Sequence, residues 1–358
     1  MDVCFIATEF FGWGRYGGFG KCTRDIASGL AERGFKVSVV VPRARGQRPL
    51  EDVNGVLVYS HHFVAYPFTG QMYRRCNADI YHSEDPSWGS LIALRSMREK
   101  THLVTCQNPR SVEDWHEVNR YYLTRRRLFN RLFWGEIGRA MRGMDGVYCQ
   151  SWHVIPKAKS VYGLEETPRF LPNPVEVPDR IPEKLETPTV CFLGRLDGEK
   201  RPEIFFDLAR KFPDINFIAV GKAHDQARDD RLRRMYSGIP NLELTGFKRG
   251  REKIGILEDS WILVNTSVSE CLPISFLEAA AQGCAILSLH DPDDFATKFG
   301  YRASSVEDLS SGLSMLVEDG SWRERGKRGY EYVKNVHERP RVIDMHINIY
   351  ERSLKKEL

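Results

Sequence analysis

The sequence has little net charge, no long apolar run and no paired-cysteine motif. Lys and Arg together number 52 and Asp and Glu 48, so a formal charge of +4 is spread over 358 residues. That excess is too small to indicate a nucleic-acid-binding protein. No segment approaches the roughly 20 consecutive apolar residues that a membrane-spanning helix requires. We therefore predict a protein that neither binds nucleic acid nor crosses a bilayer.

The eight cysteines are not arranged to bind zinc or to form a C-x-x-C pair. Several lie singly inside apolar runs: Cys4, Cys106, Cys149 and Cys191. This usage is typical of reduced thiols, so we predict a cytoplasmic protein without a cysteine-bound zinc site. The first seven residues carry an acid where a secretion signal needs basic residues, and their apolar run predicts a first strand instead.

Apolar runs rich in β-branched residues alternate with segments of helical period, which is typical of βα units and a parallel sheet. The first series of predicted strands is Val3–Ala7, Lys36–Val41, Val56–Ser60, Asp79–His82, His102–Cys106 and Gly146–Gln150. The second series is Thr189–Leu193, Asn216–Val220, Leu242–Leu244, Trp261–Asn265 and Ala285–Leu289. A proline-rich stretch from Leu171 to Pro188 separates the two series and predicts a stiff connection.

The repeated rhythm predicts an α/β protein made of two Rossmann-like doubly wound domains that face a central cleft. The first would span residues 1–172 and the second residues 173–335. In such domains ligands bind at the carboxyl ends of the parallel strands.

A glycine-rich turn follows the first predicted strand and allows two interpretations. Gly12, Gly14 and Gly17 fit the G-x-G-x-x-G string of dinucleotide-binding proteins, so an NADP-dependent oxidoreductase is one alternative. Four residues intervene between strand and first glycine, however, and no acid follows the second strand. Gly17 and Gly18 instead begin an amphipathic helix whose backbone N–H groups can approach an anion closely, although a plain structural turn explains them equally well.

The second half contains two groups of charged residues, each directly after a predicted strand. Arg195 and Lys200 place two cations five residues apart, a pairing suited to a diphosphate, although alone they would resemble an ordinary solvated turn. Glu270 and Glu278 flank Pro273, which marks the first turn of a predicted helix that ends at Gly283. A helix N-terminus can hold phosphate oxygens while carboxylates accept hydrogen bonds from sugar hydroxyls.

Taken in order, these motifs resemble the retaining nucleotide-sugar glycosyltransferases of the GT-B fold, family 4 among them. The resemblance covers nearly the whole chain, from Gly17–Gly18 through Arg195 and Lys200 to the E-x7-E pair Glu270 and Glu278. It implies a donor-binding second domain and a final helix, at about 336–358, that returns to the first domain. It also implies retention of anomeric configuration without a metal, with a UDP- or GDP-sugar as the expected donor and co-substrate.

The resemblance implies a role for each matching residue. Arg195 and Lys200 would neutralise the departing diphosphate, Glu270 would contact the donor sugar and Glu278 the nucleotide ribose. Phe247 lies where relatives contact the nucleobase, and the backbone of Leu272, Pro273 and Ile274 and of Gly17 and Gly18 would cradle phosphate and sugar.

The first domain offers candidates for the side that binds the hydroxyl acceptor: His82, Asp85 and Gln107. Many relatives have a histidine where this chain has Gln107, and an amide can orient a hydroxyl but cannot take its proton. A general base at this position is therefore not expected. A separate alternative is a GT-B relative that binds nucleotide sugar without transferring it, such as an epimerase or an inactive binding protein. The arginine-rich stretch within 120–144 is either an amphipathic helix packed on the first sheet or a weak peripheral contact with an anionic membrane surface.

Overall fold

A computed structural model of the chain describes residues 1–10, 17–43, 46–62, 68–111, 114 and 135–357. Its contacts divide the chain into two compact units. The first consists of Met1–Pro174 and Arg339–Leu358, and the second of Val175–Glu338.

Within the described residues, the first unit contains an eight-stranded sheet. Its strands are β1 Asp2–Ile6, β2 Lys36–Pro42, β3 Leu50–Val53, β4 Val56–His61, β5 Ile80–Ser83, β6 Thr101–Cys106, β7 Gly146–Cys149 and β8 Arg169–Phe170. Their order across the sheet is β3-β4-β2-β1-β5-β6-β7-β8. All neighbours run parallel except β3 and β4, which form an antiparallel hairpin.

Helices pack on this sheet, because the sheet and the amphipathic helices bury their apolar surfaces against each other. They are α1 Gly18–Glu32, α2 Gly70–Cys76, α3 Trp88–Ser96, a helical stretch at 135–141, and α4 Val154–Tyr162. The last helix of the chain, Arg339–Leu354, also belongs to this unit and packs on α1. The packing is close at Gly29, where an added Cβ would lie 2.7 Å from Ile343.

The second unit contains a six-stranded sheet in which every described pair is parallel. Its strands are β9 Thr189–Leu193, β10 Asn216–Val220, β11 Leu242–Gly246, β12 Ile262–Asn265, β13 Ala285–Ser288 and β14 Gly300–Arg302, in the order β11-β10-β9-β12-β13-β14. The helices are α5 Pro202–Lys211, α6 Gln226–Tyr236, α7 Gly250–Asp259, α8 Ile274–Ala281, α9 Phe295–Phe299, α10 Asp308–Glu318 and α11 Trp322–Val336, so the last helix of the first unit is α12.

The central strands β12 and β13 are buried along their whole length, as expected for a sheet covered by helices on both faces. The prediction of an α/β protein with two Rossmann-like parallel sheets is confirmed. None of the described helices combines the length and the apolar content needed to cross a bilayer.

Candidate active site

Several charged residues of the second unit lie at the carboxyl edge of its sheet. Strands β9 and β12 are neighbours, and because they are parallel, the loops that follow them emerge side by side. A single 3₁₀ turn, Gly198–Lys200, lies in the first loop, and residues 266–273 form the second. This adjacency brings together two sequence-predicted residues that are 70 positions apart.

Lys200 and Glu270 form a largely buried ion pair. The Lys200 Nζ lies 2.6 Å from Glu270 Oε1, with side-chain exposures of 23% and 10%. Ser267 Oγ donates to the same oxygen at 2.6 Å, and Asn265 Nδ2 does so at 3.3 Å. Burial acts to raise the pKa of Glu270, but the Lys200 charge and these hydrogen bonds outweigh it and lower the pKa below its ordinary value. Glu270 is therefore a carboxylate at neutral pH.

The neighbouring Arg201 fixes the two loops against each other. Its Nε donates to the carbonyl of Thr266 at 2.7 Å and its Nη2 to that of Ser267 at 2.8 Å. In return, Thr266 Oγ1 donates to the Lys200 carbonyl at 2.7 Å. Arg201 is not apparent from the sequence, because nothing in a Lys-Arg dipeptide shows which cation contacts a backbone carbonyl.

Arg195 is bound by carboxylates of its own loop. Its Nη1 donates to Asp197 Oδ2 at 2.6 Å, its Nη2 donates to Glu199, and His224 Nδ1 lies 3.0 Å from Nη1. The Val268 amide in turn donates to the Glu199 carbonyl at 2.8 Å, so this loop contacts the one that carries Glu270. The partners of the Arg195 guanidinium therefore include Asp197, Glu199 and His224. The residues of 270–274 are not among the partners that we identify.

Helix α8 begins next to Pro273, as the sequence predicts. Pro273 has an extended backbone and is the N-cap, Ile274 is the first helical residue, and Gly283 follows the helix with a φ of 76°. Leu272, just before the cap, is buried in the core of the unit. The first amides of such a helix have no partner within the helix and form a site for an anion.

Glu278, on the second turn of α8, pairs with a lysine that the sequence analysis missed. Lys253 Nζ on α7 donates to Glu278 Oε1 at 2.6 Å, and the two side chains are 16% and 10% exposed. Phe247 follows β11, which places it at the same edge of the sheet, and its ring is partly exposed.

In the first unit, Gly17 is the N-cap of α1 and Gly18 its first residue. The carboxylate of Glu9 occupies this helix N-terminus: its Oε1 accepts from the Gly20 amide at 3.0 Å. A Cβ on Gly17 would lie 2.1 Å from that oxygen, so glycine is needed here for the approach of Glu9. Gly12 and Gly14, and with them most of the dinucleotide-type string, lie outside the described residues.

The acceptor-side candidates lie at the carboxyl ends of β5 and β6, and His82 is the most deeply enclosed of them. Its Nδ1 lies 2.7 Å from the Tyr350 hydroxyl and its Nε2 lies 2.8 Å from Thr105 Oγ1. Burial lowers the pKa of His82 well below its usual value, and nearby His346 lowers it further. Both ring nitrogens have partners, which is typical of a structural histidine.

Asp85 and Gln107 are linked to each other. The backbone N–H of Gln107 donates to Asp85 Oδ1 at 3.0 Å. Asp85 has a φ of 111°, which is unusual for a residue with a side chain. Burial raises the pKa of Asp85 to about 6, although backbone hydrogen bonds oppose the change. The Gln107 side chain contacts Glu84, a buried carboxyl that the sequence analysis passed over.

One group of metal-ligand types occurs among the described residues. Ligand atoms of His82, Glu84 and His346 all lie within 4.8 Å of one another. We assign no cation to this group, because both nitrogens of His82 are already engaged by hydroxyls. Of the arginine-rich stretch within 120–144, residues 120–134 lie outside the described part of the chain.

The architecture matches solved glycosyltransferase structures over almost the whole chain. Sucrose-phosphate synthase from Thermosynechococcus elongatus superposes with a TM-score of 0.78 at 13% identity, covering 99% of this chain and 100% of that one. HepE from Anabaena in complex with UDP-glucose superposes with a TM-score of 0.77 at 14% identity, covering 98% and 100%. At these identities the likeness shows the shared GT-B fold.

Family models match consecutive parts of the sequence. The model described as Glycosyltransferase Family 4 matches residues 16–177, and the model described as Glycosyl transferases group 1 matches residues 176–325. The chain belongs to the GT4-like glycosyltransferases of the GT-B fold. The resemblance drawn from the sequence motifs is confirmed, and the oxidoreductase alternative has no support in this family.

A curated relative of this GT4-like glycosyltransferase is a subunit of the human phosphatidylinositol N-acetylglucosaminyltransferase. The two chains are 26% identical over 125 residues, a stretch that covers 33% of this chain and 26% of the human protein. The match thus spans about a quarter of that relative.

Proposed function

We propose that the protein is a retaining glycosyltransferase that moves a sugar from a nucleotide-diphosphate sugar, UDP- or GDP-linked, to a hydroxyl acceptor. The observation that carries this proposal is the Lys200–Glu270 contact of 2.6 Å, which joins a cation and a carboxylate just before the N-terminus of α8. A cation and free helix amides suit a diphosphate, and a carboxylate suits sugar hydroxyls. The HepE structure contains UDP-glucose, which supports UDP as one nucleotide to test.

The chemistry requires stabilisation of charge on the departing group. When the bond between the anomeric carbon and phosphate breaks, its electron pair leaves with the diphosphate. Arg195, Lys200 and the first amides of α8 would stabilise that negative charge, and they would do so without a divalent metal. To serve, Arg195 would exchange its carboxylate partners Asp197 and Glu199 for phosphate oxygens.

Glu270 and Glu278 would hold hydroxyls of the donor. Glu270 is ionised and faces the sugar in this proposal, while Glu278 would accept from the nucleotide ribose. A carboxylate has about four lone-pair positions, so the bond from Lys253 to Glu278 leaves acceptor capacity on that group. Phe247 would stack on the base.

Retention follows from attack on the face that the diphosphate leaves. The acceptor oxygen forms its bond to the anomeric carbon as the phosphate bond breaks, and a phosphate oxygen of the leaving group takes the acceptor proton. No enzyme nucleophile is required on the opposite face.

The first test is thermal unfolding in the presence of UDP, GDP, ADP and their sugars. A ligand that binds only the folded protein raises its apparent stability, so we expect one nucleotide to shift the midpoint most. Transfer by the wild-type protein is then measured with that donor, and the anomeric configuration of the product is read by NMR. An inverted product would contradict the retaining mechanism.

The second test compares Arg195→Ala with the control Arg251→Ala, whose guanidinium pairs with Glu258 on the exposed side of α7. We expect turnover at saturating donor to fall about 10²-fold or more for Arg195→Ala, as for other groups that stabilise transition-state charge. Turnover near that of the wild type would overturn the assignment. Nucleotide release without sugar transfer would favour the epimerase or binding-protein alternative.

A further inference from the structure

The polar side chains at the carboxyl ends of β5 and β6 form one buried hydrogen-bond network. Gln107 Nε2 donates to Glu84 Oε2 at 3.2 Å and to Asn173 Oδ1 at 3.1 Å, and Asn173 Nδ2 donates to Gln107 Oε1 at 2.9 Å. The Gln107 amide has two N–H donors, and both are used here. Gln107 thus holds Glu84 in place and has no donor left to orient a substrate hydroxyl.

The other two acceptor-side candidates are engaged in the same way. Both nitrogens of His82 contact hydroxyls, and Asp85 Oδ1 accepts from the Gln107 backbone. The three residues that the sequence pointed to are therefore largely occupied by their own neighbours.

Glu84 differs from them in one respect. It directly follows β5, it is 2% exposed, and its Oε1 has no hydrogen-bond partner among the residues that the structure describes. A buried acceptor without a partner is destabilising, so native proteins seldom keep one without a functional reason. For the ionised form of Glu84 the missing partner is a hydrogen-bond donor, and a hydroxyl is the simplest such group.

We propose that Glu84 Oε1 is the atom that accepts a hydrogen bond from a hydroxyl of the acceptor substrate, one that neighbours the attacking hydroxyl. This inference rests on the proposed transferase function and names the acceptor-binding group within it. This hydroxyl fixes the orientation of the acceptor, while the proton of the attacking hydroxyl remains available to the phosphate oxygen of the leaving group. Because Oε1 is closed to solvent, the acceptor must displace side chains that cover it.

The protonation of Glu84 supports this assignment. Burial raises the pKa of Glu84 to about 7, and the charge of Asp85 raises it further, while the hydrogen bond from Gln107 opposes both effects. Two groups from α12, His346 and Tyr350, face the same network, as does His82. Burial lowers the pKa of His346 to about 4 and raises that of Tyr350 well above its usual value, so both are neutral near pH 7.

A hydrogen bond from a hydroxyl favours the ionised form of the carboxyl. Bound acceptor is therefore expected to lower the pKa of Glu84, and binding should strengthen as the pH rises through about 7.

Infrared difference spectroscopy tests the proposal directly on the whole protein. The C=O stretch of a buried protonated carboxyl is assigned to Glu84 by its loss in Glu84→Gln. Glycerol, glucose, N-acetylglucosamine and myo-inositol are then titrated into the wild type in the presence of the nucleotide that binds best. We expect at least one polyol to shift the band and to lower the pH at which it disappears. A band that none of the four polyols changes would overturn the proposal.

Kinetics give a second, independent measurement. With the best of these acceptors, Glu84→Gln should raise the acceptor KM about 10-fold or more while the donor KM stays unchanged, because an amide N–H replaces the accepting oxygen. The matched control is Asp79→Asn, the same change just before the amino end of β5, where Asp79 accepts from the Asp2 amide. An unchanged acceptor KM in Glu84→Gln would overturn the proposal.

The two proposals fail in different ways. A wild type that binds nucleotide but transfers no sugar would overturn the proposed function, while the infrared titration still decides the role of Glu84. If Glu84→Gln does not fold, Glu84→Asp assigns the band by changing its frequency, and the pH titration of the wild-type band with and without polyol then gives the answer.

Discussion

Replacing Lys200 by methionine separates a structural role from a catalytic one. The substitution keeps most of the length of the unbranched side chain but removes the charge that lies 2.6 Å from Glu270. Two consequences follow, one for stability and one for turnover, and they are measured separately.

The loss of stability is set by how far the pair is buried. Removing one partner of a fully buried pair costs about 3–5 kcal/mol, and an exposed pair contributes about 0–1 kcal/mol. Lys200 is 23% exposed and Glu270 10%, and Glu270 keeps its hydrogen bonds from Ser267 and Asn265. We therefore expect the free energy of unfolding to fall by about 2 kcal/mol at neutral pH.

The pH dependence of this loss has a definite sign. The folded-state pKa of Glu270 is lowered, so its ionised form contributes stability above the unfolded-state pKa, and that stability is lost as the pH falls through the folded-state value. Without Lys200, burial is the largest influence and acts to raise the pKa. The difference in free energy of unfolding between wild type and Lys200→Met should therefore be largest near pH 7 and become smaller in acid.

Turnover decides whether Lys200 does more than stabilise the fold. We expect Lys200→Met, assayed at a temperature where it is folded, to lose about 10²-fold or more in kcat. The matched control is Lys253→Met, which breaks an equally short and buried pair with Glu278 and should lose similar stability while keeping most of its kcat. If Lys200→Met loses stability and retains kcat within about 3-fold of wild type, its role is structural and our reasoning about the leaving group is refuted.

Two further predictions concern α8 and its surroundings. Glu278→Gln should raise the donor KM about 10-fold with little change in kcat. The control is Glu252→Gln, in an exposed pair with Lys248, which should change neither constant. An unaltered donor KM in Glu278→Gln would show that Glu278 does not bind the ribose. Gly326→Ala should lower the free energy of unfolding by at least about 2 kcal/mol, because the new Cβ would lie 2.0 Å from the Gly283 carbonyl oxygen. Gly255→Ala is the control: its new Cβ would have nothing within 4 Å, so it should be neutral or stabilising. Denaturant titrations measure both variants.

The sequence predicted the long elements well and missed short ones. The strand β3 was missed although Asn54–Gly55 is a hairpin signal, and in the structure these residues have φ values of 55° and 80° at the turn between β3 and β4. Strands β8 and β14 have two and three residues, too few for any periodic pattern to show.

The active-site motifs were found to different degrees. Glu270, Pro273 and Glu278 lie close together in sequence, so the helix and its cap could be predicted from local rules. Arg201, Lys253 and Glu84 could not, because their roles depend on partners 65, 25 and 23 residues away.

By itself the sequence determined the alternation of buried strands and amphipathic helices, the two series of βα units and the positions of the helix caps. These follow from the spacing of apolar residues and from backbone preferences, which act over a few residues. Only the tertiary structure decided which polar atoms are satisfied: that Glu9 occupies the N-terminus of α1, that Lys200 meets Glu270 and that Glu84 keeps an oxygen without a partner among the described residues. Hydrogen bonds and burial depend on neighbours brought from distant parts of the chain, and no local pattern records them.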